Sequence, residues 1–187
     1  MNTVCEKTRF TTRDLELLPE NEWIKYEILD GELYMTRAPH ASHQNTCGNI
    51  YYELKTWSIL HNLGRPFTTV GVLFSEYDNV IPDVIWISNE RLELLLDESG
   101  HFTGAPELIV EVLSAGKSNE DRDKEAKFQL YANYEVREYW IVDWRLQQMQ
   151  VYRRENDTLK LIGTFFSEDT LTTPLLPDFS CVVSKFF

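Results

Sequence analysis

Cysteine is scarce in this chain of 187 residues: Cys5, Cys47 and Cys181 lie far apart, and no C-x-x-C pair occurs. This spacing favours neither a disulfide framework nor a zinc ribbon, and it fits a reducing cytoplasm. Every apolar run is far shorter than the about 20 residues that a membrane helix needs. Charged residues precede any apolar stretch at the N-terminus, so we expect neither a membrane span nor a signal peptide.

Several motifs and a basic character are also lacking. The chain has no G-x-S-x-G, no Walker A loop and no G-x-G-x-x-G, which argues against a serine hydrolase and against nucleotide binding. Lys and Arg number 18 against 30 Asp and Glu, which gives a net charge of −12. This balance excludes a generally basic nucleic-acid binder, but it leaves room for a local basic groove or an acidic metal site.

The hydrophobic content of 43% is enough for a sizeable core, and no linker or repeat divides the chain, so we predict one domain over 1–187. Asp30-Gly31 between two apolar-rich segments predicts a hairpin over 24–36. Ser42 is expected to cap a helix from about Gln44 to His61. Further elements are predicted in the following order: strands FTTVGVLF and NVIPDVIWI, a short helix or turn RLELLL, a buried strand PELIVEVLS, a charged helix at about Asn119 to Tyr134, a buried strand EYWIVDW, and a hairpin joining MQVYRR to LKLIGTFF.

This order predicts an α/β class with a mixed sheet flanked by helices and with additional hairpins at both ends. Two acids stand where the strands should be apolar: Asp83 in NVIPDVIWI and Glu111 in PELIVEVLS. A buried carboxylate must become neutral or find a cation. If the two strands are neighbours, the carboxylates converge and suit a hard divalent ion, Mg²⁺ first. The alternative is that both acids lie at strand ends and face water.

Lys127 lies on the predicted helix one turn from Asp123 and Tyr131, on a stripe with Leu130 and Tyr134. The stripe favours a lysine on the side that faces the sheet, where its ammonium could orient a water molecule and stabilise charge on a phosphate. The alternative is a lysine that extends along the helix to the surface. Glu27 in the first hairpin is a further candidate, although an acid in a strand is often only the solvent face.

These residues belong to a longer series of matching strings: YEILDG (26–31), HQ (43–44), IPDV (81–84), PELIVEVLS (106–114), the D-x-x-x-K-x-x-x-Y spacing of Asp123, Lys127 and Tyr131, and VREYWIVD (136–143). In this order they resemble the PD-(D/E)XK nuclease superfamily, and within it the Uma-type restriction endonuclease family. The resemblance implies a restriction-endonuclease-like fold and metal-dependent hydrolysis of DNA phosphodiester bonds.

The resemblance also implies roles for particular residues. Asp83, Glu111 and the carbonyl of Val112 are expected to hold Mg²⁺ or Mn²⁺, and Glu27 to complete the metal shell. The superfamily lysine two positions after the acid is replaced by Leu113, and Lys127 is expected to take its place, as in the Uma-type family.

The sequence leaves the roles of several other residues open. His43 and Gln44 are possible substrate contacts. Lys117 and Lys124 are nearby alternatives to Lys127. Lys117 lies in a loop and could contact a phosphate, whereas Lys124 is expected to lie on the solvated part of the helix surface. Late basic residues either line a groove or lie on solvated faces: Arg122, Lys124, Arg137, Arg145, Arg153 and Arg154.

Two alternatives compete with a magnesium nuclease. One is a catalytically inactive, dimeric interaction module on a nuclease fold, in which aromatic residues of the last hairpin and tail bury a partner surface: Phe165, Phe166, Phe179, Phe186 and Phe187. The net charge of −12 favours this alternative, since it repels DNA. The other, less favoured, is a zinc site from His40, His43 and Cys47, for which no fourth ligand is evident. A homodimer is expected in either functional case.

Overall fold

The structure is a computed structural model that describes residues 9–19, 23–114 and 125–187. Its elements follow in chain order: α1 Thr12–Leu15, β1 Ile24–Leu29, β2 Glu32–Arg37, α2 Ala41–His61, β3 Gly64–Thr68, β4 Val72–Ser75, β5 Asp78–Val80, β6 Val84–Ser88, α3 Asn89–Leu95, β7 Leu108–Val112, α4 Lys127–Asn133, β8 Glu138–Asp143, β9 Gln148–Glu155, β10 Thr158–Phe166, β11 Thr170–Thr172, β12 Ser180–Val182 and a 3₁₀ helix Val183–Phe186.

The described residues form three sheets, and the largest is mixed, as the sequence predicts. Its six strands have the order β10-β9-β8-β7-β6-β3, in which β7 and β8 are parallel and the other pairs antiparallel. A four-stranded sheet has the order β2-β1-β5-β4, and β11 pairs with β12. None of the helices in the described parts of the chain has the length and hydropathy that crossing a bilayer requires.

Strand alternation sends side chains of the large sheet into two apolar clusters. Val110 and Val112 of β7 belong to the cluster that contains α2 and the C-terminal segment. Ile109 and Leu113 belong to the cluster that contains α4. Glu111 lies between these last two in the sequence and therefore faces the α4 side, although it is an acid.

The first hairpin confirms the Asp30-Gly31 prediction. Both residues have positive φ values, 48° and 76°, as a type I′ turn requires, and Leu29 pairs with Glu32 across it. The C-terminal tail packs onto the core: Phe179 and Phe186 are buried in the cluster on the α2 side, whereas Phe166 at the end of β10 is 55% exposed.

Three predictions differ from the structure. FTTVGVLF is not one strand, because β3 ends at Thr68 in the large sheet and β4 begins at Val72 in the small, four-stranded one. NVIPDVIWI is not one strand either, because β5 ends at Val80 in the small sheet and β6 begins at Val84 in the large one. Pro82 between them has no N–H to donate to a ladder. The prediction that Ser42 caps α2 is wrong: the helix begins at Ala41, and the ring of His40 accepts a hydrogen bond from the Ser42 N–H. Of the helix predicted from Asn119, residues 119–124 lie outside the described residues.

Candidate active site

Glu111 is held near the end of β7 with 2% of its surface exposed. Its Oε1 accepts hydrogen bonds from Lys127 Nζ at 2.8 Å and from the Tyr131 hydroxyl at 2.7 Å. Burial and the charge of Glu111 raise the pKa of Tyr131 well above 10, so the phenol keeps its proton and donates. Lys127 and Tyr131 lie four residues apart on α4 and thus present both donors on one face.

Lys127 joins two acids from distant parts of the chain. Its ammonium, 1% exposed, lies 2.8 Å from Glu111 Oε1 and 3.0 Å from Glu27 Oε1. The inward lysine predicted from the helix stripe therefore corresponds to the structure, and the surface alternative does not. Lys117, Asp123 and Lys124 lie outside the described residues.

Glu27 on β1 is as buried as Lys127. Its Oε1 also accepts a hydrogen bond of 2.9 Å from the Ile81 N–H, in the segment that leads from β5 to β6. The side chain thus ties the first hairpin to the chain just before Asp83. The alternative for Glu27, a place on the solvent face of its strand, does not agree with this position.

Asp83 lies where the chain passes from the small sheet to the large one. Its Oδ2 accepts a hydrogen bond of 2.9 Å from the Val112 N–H and lies 3.3 Å from His43 Nε2. Its Oδ1 lies 3.8 Å from Lys25 Nζ. Burial alone would raise the pKa of this carboxyl, but the hydrogen bond from His43 and the charges of Lys25, His43 and Lys127 outweigh it, and the pKa falls from 3.8 to about 2.

The hydrogen bond from Val112 explains how the two acids meet. Val84 of β6 pairs with Val110 of β7, so Asp83 comes level with the last residues of β7. Asp83 and Glu111 therefore line one cleft, as predicted from neighbouring strands. The carbonyl of Val112 as a metal ligand stays a prediction.

His43 and Gln44 come from the first turn of α2 and differ in exposure. His43 is 3% exposed, and its Nδ1 lies 3.4 Å from Gln44 Oε1 and 3.5 Å from Cys47 Sγ. Burial lowers the pKa of His43, but the hydrogen bond and charge of Asp83, together with hydrogen bonds to Gln44 and the Val112 backbone, outweigh it, so the pKa lies above the ordinary 6.5. Gln44 is exposed and lines the cleft, which keeps it available to a substrate.

A cleft of about 430 Å³ opens over these groups. Its walls hold three carboxylates, from Glu27, Asp83 and Glu111, together with the ammonium groups of Lys25 and Lys127 and, at its exposed edge, the guanidinium of Arg37. Carboxylate oxygens are the donors that Mg²⁺ and Mn²⁺ prefer. The donor set therefore fits the ion that the sequence predicts.

The sequence prediction missed the cleft's basic and aromatic rim. Lys25, Arg37 and the 71% exposed Trp23 line the mouth of the cleft. A signal for Lys25 was present, because residues two apart in a strand share a face and Lys25 precedes Glu27 by two in β1.

Two further hypotheses from the sequence concern residues that lie away from the cleft: the zinc site with His40, and the groove of late basic residues. His40 caps α2 and its ring stacks on Trp144 at 4.9 Å, so it does not complete a zinc site with His43 and Cys47. Of the four late arginines in the described residues, Arg137 is exposed and the other three are held by contacts within the protein. Arg145 pairs with Asp143, Arg153 pairs with Glu138, and Arg154 donates to backbone carbonyls. Arg122 lies outside the described residues.

A family model decides the relationship of this chain to known proteins. The Uma2 model, described as "Putative restriction endonuclease", matches residues 12–184. The chain belongs to the Uma2 family. The resemblance to the Uma-type family is thereby confirmed, and membership in Uma2 supports a nuclease function.

The fold of this Uma2 chain is similar to that of a solved structure described as "a putative nuclease belonging to DUF820 from Anabaena variabilis ATCC 29413". The TM-score is 0.78, and the likeness covers 95% of this chain and 97% of the other at 18% sequence identity. At this identity the likeness shows a shared fold, and the predicted fold class is confirmed. No curated protein matches the sequence of the chain.

Proposed function

We propose that the cleft is the active site of a metal-dependent endonuclease that hydrolyses DNA phosphodiester bonds. The observation that carries this proposal is the convergence of Glu27, Asp83 and Glu111 with the buried Lys127 in one cleft. The groups come from β1, β7, α4 and the segment before β6, and membership in Uma2 gives their convergence a chemical meaning.

Asp83 and Glu111 would hold Mg²⁺ or Mn²⁺, with the Val112 carbonyl as a further ligand and Glu27 completing the shell. A bound ion of this kind lowers the pKa of water and polarises a phosphate oxygen. His43 acts as a positioning residue, because its hydrogen bond fixes the orientation of Asp83.

Lys127 has the role of an electrostatic stabiliser. Its ammonium is already fixed by two carboxylates and excluded from bulk water, so it needs little reorganisation when negative charge develops on the phosphate. Lys25 and Arg37 at the mouth of the cleft contact the flanking phosphates, which offsets locally the repulsion from a net charge of −12.

The test is nicking of supercoiled plasmid DNA with Mg²⁺ or Mn²⁺. We expect cleavage that a chelator abolishes, and a loss of about 100-fold or more in Asp83→Ala, Glu111→Ala and Lys127→Ala. Glu107→Gln is the matched control, since Glu107 is also a buried acid but pairs with Ser88 and Arg91 away from the cleft. Circular dichroism verifies that each variant is folded.

Equal cleavage by wild type and Asp83→Ala would falsify the proposal. Calorimetry that finds no affinity for a divalent ion would favour the non-catalytic interaction module instead. Cleavage of both DNA strands needs two sites, so we also propose a homodimer, which sedimentation equilibrium tests.

A further inference from the structure

A second group of metal-binding side chains lies beside the carboxylates of the cleft. His43, Cys47 and Asp83 are all buried, and one ligand atom from each lies within 4.8 Å of the other two. His43 and Cys47 are four residues apart on α2, so the helix presents both to the same place. Asp83 approaches them from the segment before β6.

The donor set differs from that of the carboxylate cluster. Imidazole, thiolate and carboxylate together suit a borderline-soft transition ion, whereas Mg²⁺ prefers oxygen donors alone. Three protein ligands with a fourth position left to water are the composition of open zinc sites.

The distances are close to those of such a site. Zn–S is about 2.3 Å and Zn–N about 2.0 Å in a tetrahedron, which places ligand atoms about 3.5 Å apart. Cys47 Sγ lies 3.5 Å from His43 Nδ1, and Asp83 Oδ2 lies 3.3 Å from His43 Nε2. One ring nitrogen would bind the ion, so side-chain shifts of about an ångström are enough to close the site around it.

An ion can also reach this group. Binding of a divalent ion would displace the Cys47 thiol proton to solvent. His43 and Asp83 line the cleft, which gives an ion a path from the solvent to this otherwise buried group.

We propose that His43, Cys47 and Asp83 form a second cation site that takes Zn²⁺ or Co²⁺. Its further consequence rests on the proposed nuclease function: because Asp83 belongs to both sites, an ion held by Cys47 withdraws this carboxylate from the magnesium site. Zn²⁺ therefore inhibits the Mg²⁺-dependent reaction.

Co²⁺ binding to chelator-treated protein tests the site without any need for cleavage. A Cys5→Ser/Cys181→Ser variant keeps Cys47 as the sole thiol, and we expect it to show the near-ultraviolet thiolate-to-cobalt charge-transfer band of the wild type. Cys47→Ser should lose the band and bind Zn²⁺ at least about tenfold more weakly, and His43→Asn should weaken Zn²⁺ binding to a similar extent.

Three results would overturn the proposal: no Co²⁺ binding, binding without the sulfur band in the sole-thiol variant, or a band that persists in Cys47→Ser. If Cys47→Ser fails to fold, the sole-thiol variant with and without His43→Asn still decides the question. In cleavage assays, Zn²⁺ should inhibit the sole-thiol variant more strongly than Cys47→Ser, each measured against its own rate without zinc. A charge-transfer band in a protein that cleaves no DNA would uphold the cation site and count against the nuclease function alone.

Discussion

Two buried acids on neighbouring strands of the large sheet have different surroundings: Glu138 at the start of β8 and Glu111 near the end of β7. Glu138, level with Leu108, is 1% exposed. Its Oε1 accepts from Trp140 Nε1 at 2.7 Å, and its Oε2 accepts from Arg153 Nε and Thr173 Oγ1, both at 2.8 Å. The donors enclose a single carboxylate, and two of the three are neutral.

Near the end of β7, Glu111 lies in a group of three carboxylates. Glu27 and Asp83 lie beside it, Lys25, Lys127 and the exposed Arg37 are the cations, and a cleft opens above them. Glu27 and Glu111 share one buried ammonium, that of Lys127, and isolated buried charges are costly. The difference teaches that a buried acid in a strand is a sign of function when further acids converge on it next to a cavity.

Among the changes that test this difference between Glu111 and Glu138, removal of the Lys127 ammonium should have the largest effect on stability. Lys127→Met leaves Glu27 and Glu111 adjacent and buried, so we expect the metal-free protein to lose about 3–5 kcal/mol in free energy of unfolding. Urea denaturation measures this loss. Mg²⁺ should stabilise the variant more than the wild type, because the ion takes over the role of the ammonium.

Lys160→Met is the control for Lys127→Met. Lys160 and Glu155 form an exposed pair at 3.0 Å, and exposed pairs contribute little, so the change should stay within about 0.5 kcal/mol. Equal effects of the two substitutions would show that the cleft lysine does not neutralise a buried cluster.

Glu138→Gln tests the other buried acid of the comparison, which we expect to have a structural role only. The amide has about the same shape, but it replaces one acceptor by a donor in a site where three donors already converge. We expect a loss of about 1–3 kcal/mol in thermal or urea unfolding. Cleavage per folded molecule should remain that of wild type. A selective loss of cleavage would mean that this network also serves catalysis.

The smallest effect concerns acid stability in the presence of a chelator. The folded pKa of Asp83, about 2, lies below its ordinary 3.8, so the ionised carboxylate stabilises the fold above pH 4 and this stabilisation is lost as the pH falls towards 2. The linkage corresponds to about 2 kcal/mol. Asp83→Asn should therefore show a shallower decline of unfolding free energy over this range, and an unchanged slope would contradict the assignment.

The sequence predicted those features that follow from local rules. Asp30-Gly31 specifies its turn by itself, and the apolar residues on either side of Glu111 mark a strand whatever lies beyond it. The inward position of Lys127 followed from helical spacing. The fold class followed from the order of such elements, since that order leaves few ways to cover a mixed sheet.

Features that depend on tertiary contacts were out of reach. The apolar run around Pro82 resembles one strand, and only the small sheet's pairing with β5 shows that it is two. The His40 cap depends on side-chain orientation that no spacing encodes. Glu138 carries the same sequence signal as Glu111, an acid in an apolar strand, and only its partners reveal a structural role.

The hydrogen bond from Ile81 to Glu27, together with the ion pair between Glu27 and Lys127, has a consequence for the life of the molecule in the cell. The reactive groups are drawn from both sheets and from a helix late in the chain, so neither a ribosome-bound fragment nor a partly unfolded molecule can assemble them. The activity proposed for the cleft would then arise only with the finished tertiary structure.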